Sequence, residues 1–241
     1  MRFPKPSLPI PTLSPAQRRV MDRLLLTEYG MSALQWQENA GLALAEVARE
    51  AFLKGNARDK GIAILAGQGM KGAAALVCAR RLHAWGAKVR VCHNTEPILP
   101  TDLTAPQMHT LQRMAVLSIP EPAHGAALVI DGLADFGADI SVRTLSLIDW
   151  VNTQIQPVLS LDLPSGLDAG TGAHTPTHCV RASATLALGL PLEGILTPKA
   201  RPMVGEIFLA DMGVPKTLFA APGVGLEAGV YFAESTVIKL R

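Results

Sequence analysis

Residues 61–72 read Gly61-Ile-Ala-Ile-Leu-Ala66-Gly67-Gln-Gly69-Met-Lys-Gly72, and an Ala- and Leu-rich run continues to Trp85-Gly86. The short apolar segment predicts a buried strand, and the run behind it predicts a helix. Between them, glycines at 67, 69 and 72 match the G-x-G-x-x-G spacing. In a strand–turn–helix context that spacing lets backbone N–H groups approach a phosphate. The same glycines also serve a plain turn that packs a helix closely on a strand.

The pattern repeats downstream. Lys88–Cys92, Val116–Ile119, Ala126–Asp131, Pro157–Asp162, Ala184–Leu190 and Glu206–Ala210 are strand candidates, with helices expected over 104–114 and 141–154. Alternating elements of these lengths imply right-handed βαβ crossovers and a mostly parallel sheet with helices on both faces, a three-layer Rossmann-like α/β fold. Upstream, Ser14-Pro15 starts a helix that Gly30 ends, and Ser32 with Gln35 resembles a capping box for a second helix reaching Lys54-Gly55. Residues 1–13 form a proline-rich, extended leader. No repeat or linker interrupts 1–241, so a single domain is expected, with 216–241 as a C-terminal extension in which Val230–Phe232 suggests an edge strand or a subunit contact.

Composition narrows the function. Apolar residues make up 49% of the 241 and charged residues only 17%, which argues against disorder. A net charge of +2 with scattered basic residues gives no reason to expect nucleic acid as a partner. No apolar run is long enough to span a membrane, and prolines at 4, 6, 9 and 11 interrupt any signal-peptide core. Cys78, Cys92 and Cys179 read as buried thiols of a reducing compartment. A cytoplasmic globular protein is the expectation.

Ligands of open α/β sheets bind outside the carboxyl ends of the strands. Three strand ends carry suitable chemistry. The glycine turn is the first. Asp131-Gly132 is the second, either a ligand or a capping carboxylate. The third is Ser160-Leu-Asp162-Leu-Pro164-Ser165-Gly166-Leu-Asp168-Ala-Gly170-Thr-Gly172, which puts an acid or base beside a hydroxyl in the cleft, although every residue type in it also favours turns. A dehydrogenase would need an acidic residue about 20 positions beyond the glycines to hold a ribose. Glu96 is only loosely in range, ahead of Pro97. His174 and His178 have i,i+4 spacing, but Thr175-Pro176-Thr177 between them favours a loop over a metal-binding helix.

These segments together resemble the NAD(P)H-hydrate epimerase family, the YjeF N-terminal domain. Val158 to Gly172 is similar to its V-x-x-x-D-I/L-P-S-G-L-D-A-x-T-G signature. Gly67 to Leu82 is similar to its G-P-G-N-N-G-G-D-G-L-V-x-A-R-x-L. Glu28–Gly30 through Glu38-Asn39-Ala40-Gly41 resembles its helical entry, and Val180–Ala182, Leu188-Gly189, Gly205-Glu206 and Asp211–Pro215 its C-terminal strands. The likeness runs in order from about Arg18 to Pro215.

The resemblance implies epimerisation of C6-hydrated NADH and NADPH (NADHX and NADPHX), with no redox cofactor. It implies Asp162 as the substrate-contacting acid or base, and Asp131 and Ser165 as side-chain ligands of a potassium ion. Gly69, Met70, Lys71, Gly72, Ala73 and Ala74 match the phosphate-cradling loop, and Asp135, Phe136 and Gly137 open a second substrate-lining loop. A dehydratase acting on the product is expected to be a separate protein. Dimerisation is compatible with the resemblance, although no periodic seam specifies it.

The departures bear on function. Lys71 stands where the family has its potassium-binding Asn, and Ala74 where it has Asp. An ammonium reaching between Asp131 and Ser165 would replace potassium with a tethered cation; the alternative is a lysine pointing to solvent. Asp135 adds negative charge near the phosphates unless a base such as Arg143 pairs with it. Three readings follow: an epimerase, a non-catalytic nucleotide-binding or scaffold protein on the same fold, and, resting on the glycines alone, a dehydrogenase.

Overall fold

The computed structural model describes residues 3–241 apart from Glu96 and Ala123. Eight strands form one sheet: β1 (Gly61–Ala66), β2 (Lys88–His93), β3 (Leu117–Ser118), β4 (Leu128–Gly132), β5 (Val158–Leu161), β6 (Ala184–Leu188), β7 (Glu206–Ala210) and β8 (Val237–Lys239). Their order is β3-β2-β1-β4-β5-β6-β7-β8, parallel throughout except for the antiparallel β7–β8 pair. The expected mostly parallel α/β sheet is therefore present. The order reverses between β1 and β4, where a doubly wound sheet opens its ligand crevice.

Strand alternation sorts the core into two faces. Ile62, Ile64, Leu128 and Ile130 pack against α2 (Ala33–Val47), α3 (Gly69–Ala84) and α4 (Ala105–Arg113). Ala63, Leu65 and Val129 point the other way, onto α5 (Val142–Thr153). Further along that second face lie α1 (Pro15–Thr27) and the short helices α6 (Glu193–Leu196), α7 (Arg201–Val204) and α8 (Lys216–Phe219). Gly41 lets α2 and α3 cross closely, since a Cβ there would run into Val77 and the Ala74 carbonyl.

Both expected helix starts are capping boxes. Ser14 Oγ accepts from Gln17 N while Gln17 returns to Ser14 N, and Ser32 with Gln35 does the same. The second helix ends in a single wider turn, Ala48–Phe52. The leader is extended and docked: Leu13 bridges Leu192, Pro4 accepts from Lys239 N, and Phe3 meets Phe208 edge-on at 5.2 Å between centroids.

Two expectations need correction. Gly69–Ala74 do not form a loop; helix α3 begins at Gly69 and the residues lie in its first turns. The edge strand of the extension is Val237–Lys239, while Val230–Phe232 is irregular and lines a cavity against Gly189 and Met212.

Candidate active site

The strand register assembles the site before any side chain is considered. Leu65 lies opposite Asp131, and Asp131 opposite Ser160, so β1, β4 and β5 end side by side. The glycine spacing is explained by packing. Gly72 sits against the Gly67 carbonyl with no room for a Cβ, the part a third glycine plays in holding helix close to strand.

Asp131 is fully buried and accepts four hydrogen bonds: Leu133 N and Ser165 Oγ on one oxygen, Ser160 Oγ and Ser165 N on the other. Burial opposes its charge. The neighbouring Lys71 ammonium and the bonds from Ser165 and Ser160 outweigh that and hold the carboxyl below its usual range.

Lys71 does not point to solvent. Its side chain is 1% exposed, and Nζ lies 2.8 Å from the Leu163 carbonyl, 2.8 Å from Ser165 Oγ and 3.6 Å from Asp131 Oδ2. The Ser165 hydroxyl donates to Asp131 and accepts from Lys71 and from Ala134 N, so its capacity is filled. A dissolved potassium ion does not fit these residues, because the ammonium stands among the oxygens that would hold it.

Asp162 follows β5 in a strained turn. Leu163 N bonds back to the Leu161 carbonyl at 2.8 Å, and Asp162, at the centre, has φ +63°. Three-residue turns of this hand are rare, and strain of this kind gathers at functional sites. The side chain is presented to Arg18, whose Nη1 lies 3.2 Å from Oδ1. The Arg18 Nε binds both oxygens of Asp22, at 2.9 and 3.1 Å. Burial works against the Arg18 charge, yet Asp162 and Asp22 more than compensate and raise its pKa.

These groups face a cavity of about 170 Å³ walled by Leu25, Leu26, Met31, Trp36, Met70 and Phe136. Asp135 and Phe136 also border a wider groove of about 680 Å³ that reaches Arg19, His174 and His178. The two histidines lie in irregular chain.

Asp135 is placed unexpectedly. Arg143 does not pair with it; Arg143 bonds Glu121 at 3.0 Å and the Pro120 carbonyl. Instead Asp135 Oδ1 accepts the Lys71 N–H at 3.1 Å, at the start of α3, whose N-cap Gln68 makes no side-chain cap. The carboxylate thus occupies the helix N-terminus, where a phosphate is otherwise favoured. Burial pushes the Asp135 carboxyl up, and the Lys71 charge and the N–H groups of Lys71 and Met70 only partly counter it.

Of the residues named from sequence, Met70, Lys71, Asp135, Phe136 and Asp162 meet at the smaller cavity, and Gly137 borders the groove. Asp131 and Ser165 form the buried layer beneath. Gly72, Ala73 and Ala74 are buried within α3 and line neither space. Glu96 lies outside the described residues. Glu38 joins α2 to α3 through Arg80 and Arg81. Sequence reading missed Arg18, Asp22 and Trp36. The available signal was Arg18 itself, a charge at helical spacing with Met21 and Leu25 on a core-facing stripe.

Residues 34–194 match the family model described as YjeF-related protein N-terminus. The NAD(P)H-hydrate epimerase of Dehalogenimonas lykanthroporepellens is 34% identical over 221 residues, which cover 89% of this chain and 86% of that protein. The NAD(P)H-hydrate epimerase of Bordetella pertussis is 37% identical over 193 residues, 77% of this chain and 82% of its own. The bifunctional NAD(P)H-hydrate repair enzyme Nnr of Thermosynechococcus vestitus is 33% identical over 159 residues, 65% of this chain but only 31% of that longer protein. The crystal structure of yeast YNL200c superposes with a TM-score of 0.79 at 20% identity, covering 96% of this chain and all of that one.

Proposed function

The chain belongs to the family of YjeF-related protein N-termini, and from that premise we propose that it epimerises NADHX and NADPHX at C6 of the hydrated nicotinamide ring. The observation that carries this reading is Asp162. It is a carboxylate held in a strained turn by a buried guanidinium, and it opens on an apolar cavity of ring size. The adjoining groove leaves room for the rest of a dinucleotide.

The chemistry asks for one positioned carboxylate. C6 carries both the added hydroxyl and the ring nitrogen N1. Asp162 takes the hydroxyl proton as the C6–N1 bond opens to an aldehyde and passes it to N1. Rotation of the aldehyde and the reverse transfer close the ring on the other face, with no net change of atoms or electrons. Arg18 orients the carboxylate, and Trp36, Met70 and Leu25 keep water from the ring.

A second reading, a non-catalytic nucleotide-binding or scaffold protein, is favoured by Asp135, whose carboxylate takes the phosphate-favouring end of α3. Equilibration of separated R and S epimers by the purified protein, followed by chromatography, decides between them. Catalysis requires faster equilibration than the spontaneous rate, whereas the second reading predicts binding with no acceleration.

A further inference from the structure

We infer that Lys71 is a tethered monovalent cation, whose ammonium takes the place of an alkali-metal ion where β4, β5 and α3 meet, so that the cleft is built without potassium. Oxygens from separate segments converge on Nζ: the Leu163 carbonyl and Ser165 hydroxyl, both at 2.8 Å, and Asp131 Oδ2 at 3.6 Å. An all-oxygen set of one carboxylate, one hydroxyl and one carbonyl suits a hard cation. The Asp131 carboxylate is 0% exposed and cannot remain charged there without a positive partner. An ammonium is close to potassium in size and donates to the oxygens that would coordinate the metal. Its side chain is 1% exposed, so ion and lysine exclude one another.

The tether changes how the site is held. Lys71 lies in the first turn of α3, so its ammonium ties that helix to the end of β4 through Asp131 and to the turn after β5 through Leu163 and Ser165. A bound ion dissociates and its occupancy follows the salt outside. A lysine does neither. The inference rests on this cage alone and not on the epimerase reading; its test reads stability, so failure of either leaves the other standing.

The test is thermal melting of the full chain in KCl, NaCl and N-methylglucamine chloride at equal ionic strength. The wild type should melt at the same temperature in all three. Lys71→Asn restores a neutral oxygen ligand and vacates the centre; it should melt lower in sodium and N-methylglucamine and recover several degrees, saturably, in potassium. A potassium-specific rise in the wild type, or a Lys71→Asn protein indifferent to the salt, overturns the inference. Should Lys71→Asn not fold in any salt, the ¹⁵Nζ resonance of wild-type Lys71 still decides. Slow ammonium exchange unchanged by added KCl supports the tethered cation, and displacement of that signal by KCl contradicts it.

Discussion

The guanidinium of Arg18 lies 3.2 Å from the carboxylate of Asp162, joining the first helix to a turn 144 residues further along the chain. Arg18 lies outside residues 34–194, the span that matches the family model, yet it contacts the group on which the proposed chemistry depends. Its second partner, Asp22, is one helical turn away and 35% exposed, so the Asp162 contact is the better shielded of the two.

Arg18→Met should therefore damage both stability and activity. Removing one partner of a buried ion pair typically costs about 3–5 kcal/mol, and exposure of Asp22 places this case at or below the lower end. Arg18→Lys keeps the charge and loses the fork that serves two carboxylates at once. It should melt closer to wild type while kcat falls by more than KM rises. Urea denaturation alongside steady-state kinetics separates the two effects; a Lys variant with unchanged kcat would remove Arg18 from the positioning role.

Asp135 and Asp131 give opposite pH dependences. Burial raises the Asp135 pKa on folding, so its contribution is greatest below the unfolded carboxylate range and is lost as pH rises through the folded value. Despite its burial, Asp131 has a lowered pKa because Lys71, Ser165 and Ser160 favour the charge; its contribution is present above the unfolded value and lost as pH falls through the folded one. Asparagine also caps helices well. Asp135→Asn should be more stable than wild type at neutral pH, with the difference closing in acid. Melting curves from pH 3 to 8 check both the sign and the window.

The same substitution should change ligand binding. A carboxylate at the start of α3 repels a phosphate arriving there, and like charges brought together cost several kcal/mol. Asp135→Asn should bind NADP⁺ at least roughly tenfold more tightly, equivalent to about 1.4 kcal/mol, by calorimetry at fixed ionic strength. Equal affinity would mean that the phosphates lie elsewhere.

Ser14→Ala tests the support beneath Arg18. It removes the cap of α1, a loss of about 1 kcal/mol, and loosens the helix that carries both Arg18 and Asp22. Thermal melting should show the loss, and Ser14→Asp should recover most of it.

The sheet was legible where strands are long and flanked by turn residues: β1 and β7 lie where the apolar runs place them. β8 was not, because Val237–Lys239 is too short for a periodic signal and is defined only by pairing with β7. Val230–Phe232 has the stronger strand composition but packs as irregular chain. Within the site, Asp131, Asp162 and Ser165 stand out because strand ends face the crevice, whereas the resemblance places Lys71 in its motif but leaves open whether it turns inward or to solvent, which only the packing of α3 against β4 and β5 decides. Arg18 and Asp22 were hidden because their role depends on how α1 lies over the sheet. The resemblance implies a phosphate-cradling loop over residues 69–74, whereas Gly72 here holds helix close to strand, the alternative that the same glycine spacing allows.

The most direct measurement is the rate at which purified R-form NADHX is consumed in the presence of an S-specific dehydratase, with wild-type protein and with Asp162→Asn. Asparagine tolerates the left-handed turn, so the variant should keep its fold and lose the carboxylate that accepts and passes on the proton. The account predicts acceleration by the wild type and a fall to the spontaneous rate with Asp162→Asn. Equal rates from both folded proteins, whether accelerated or spontaneous, would contradict it.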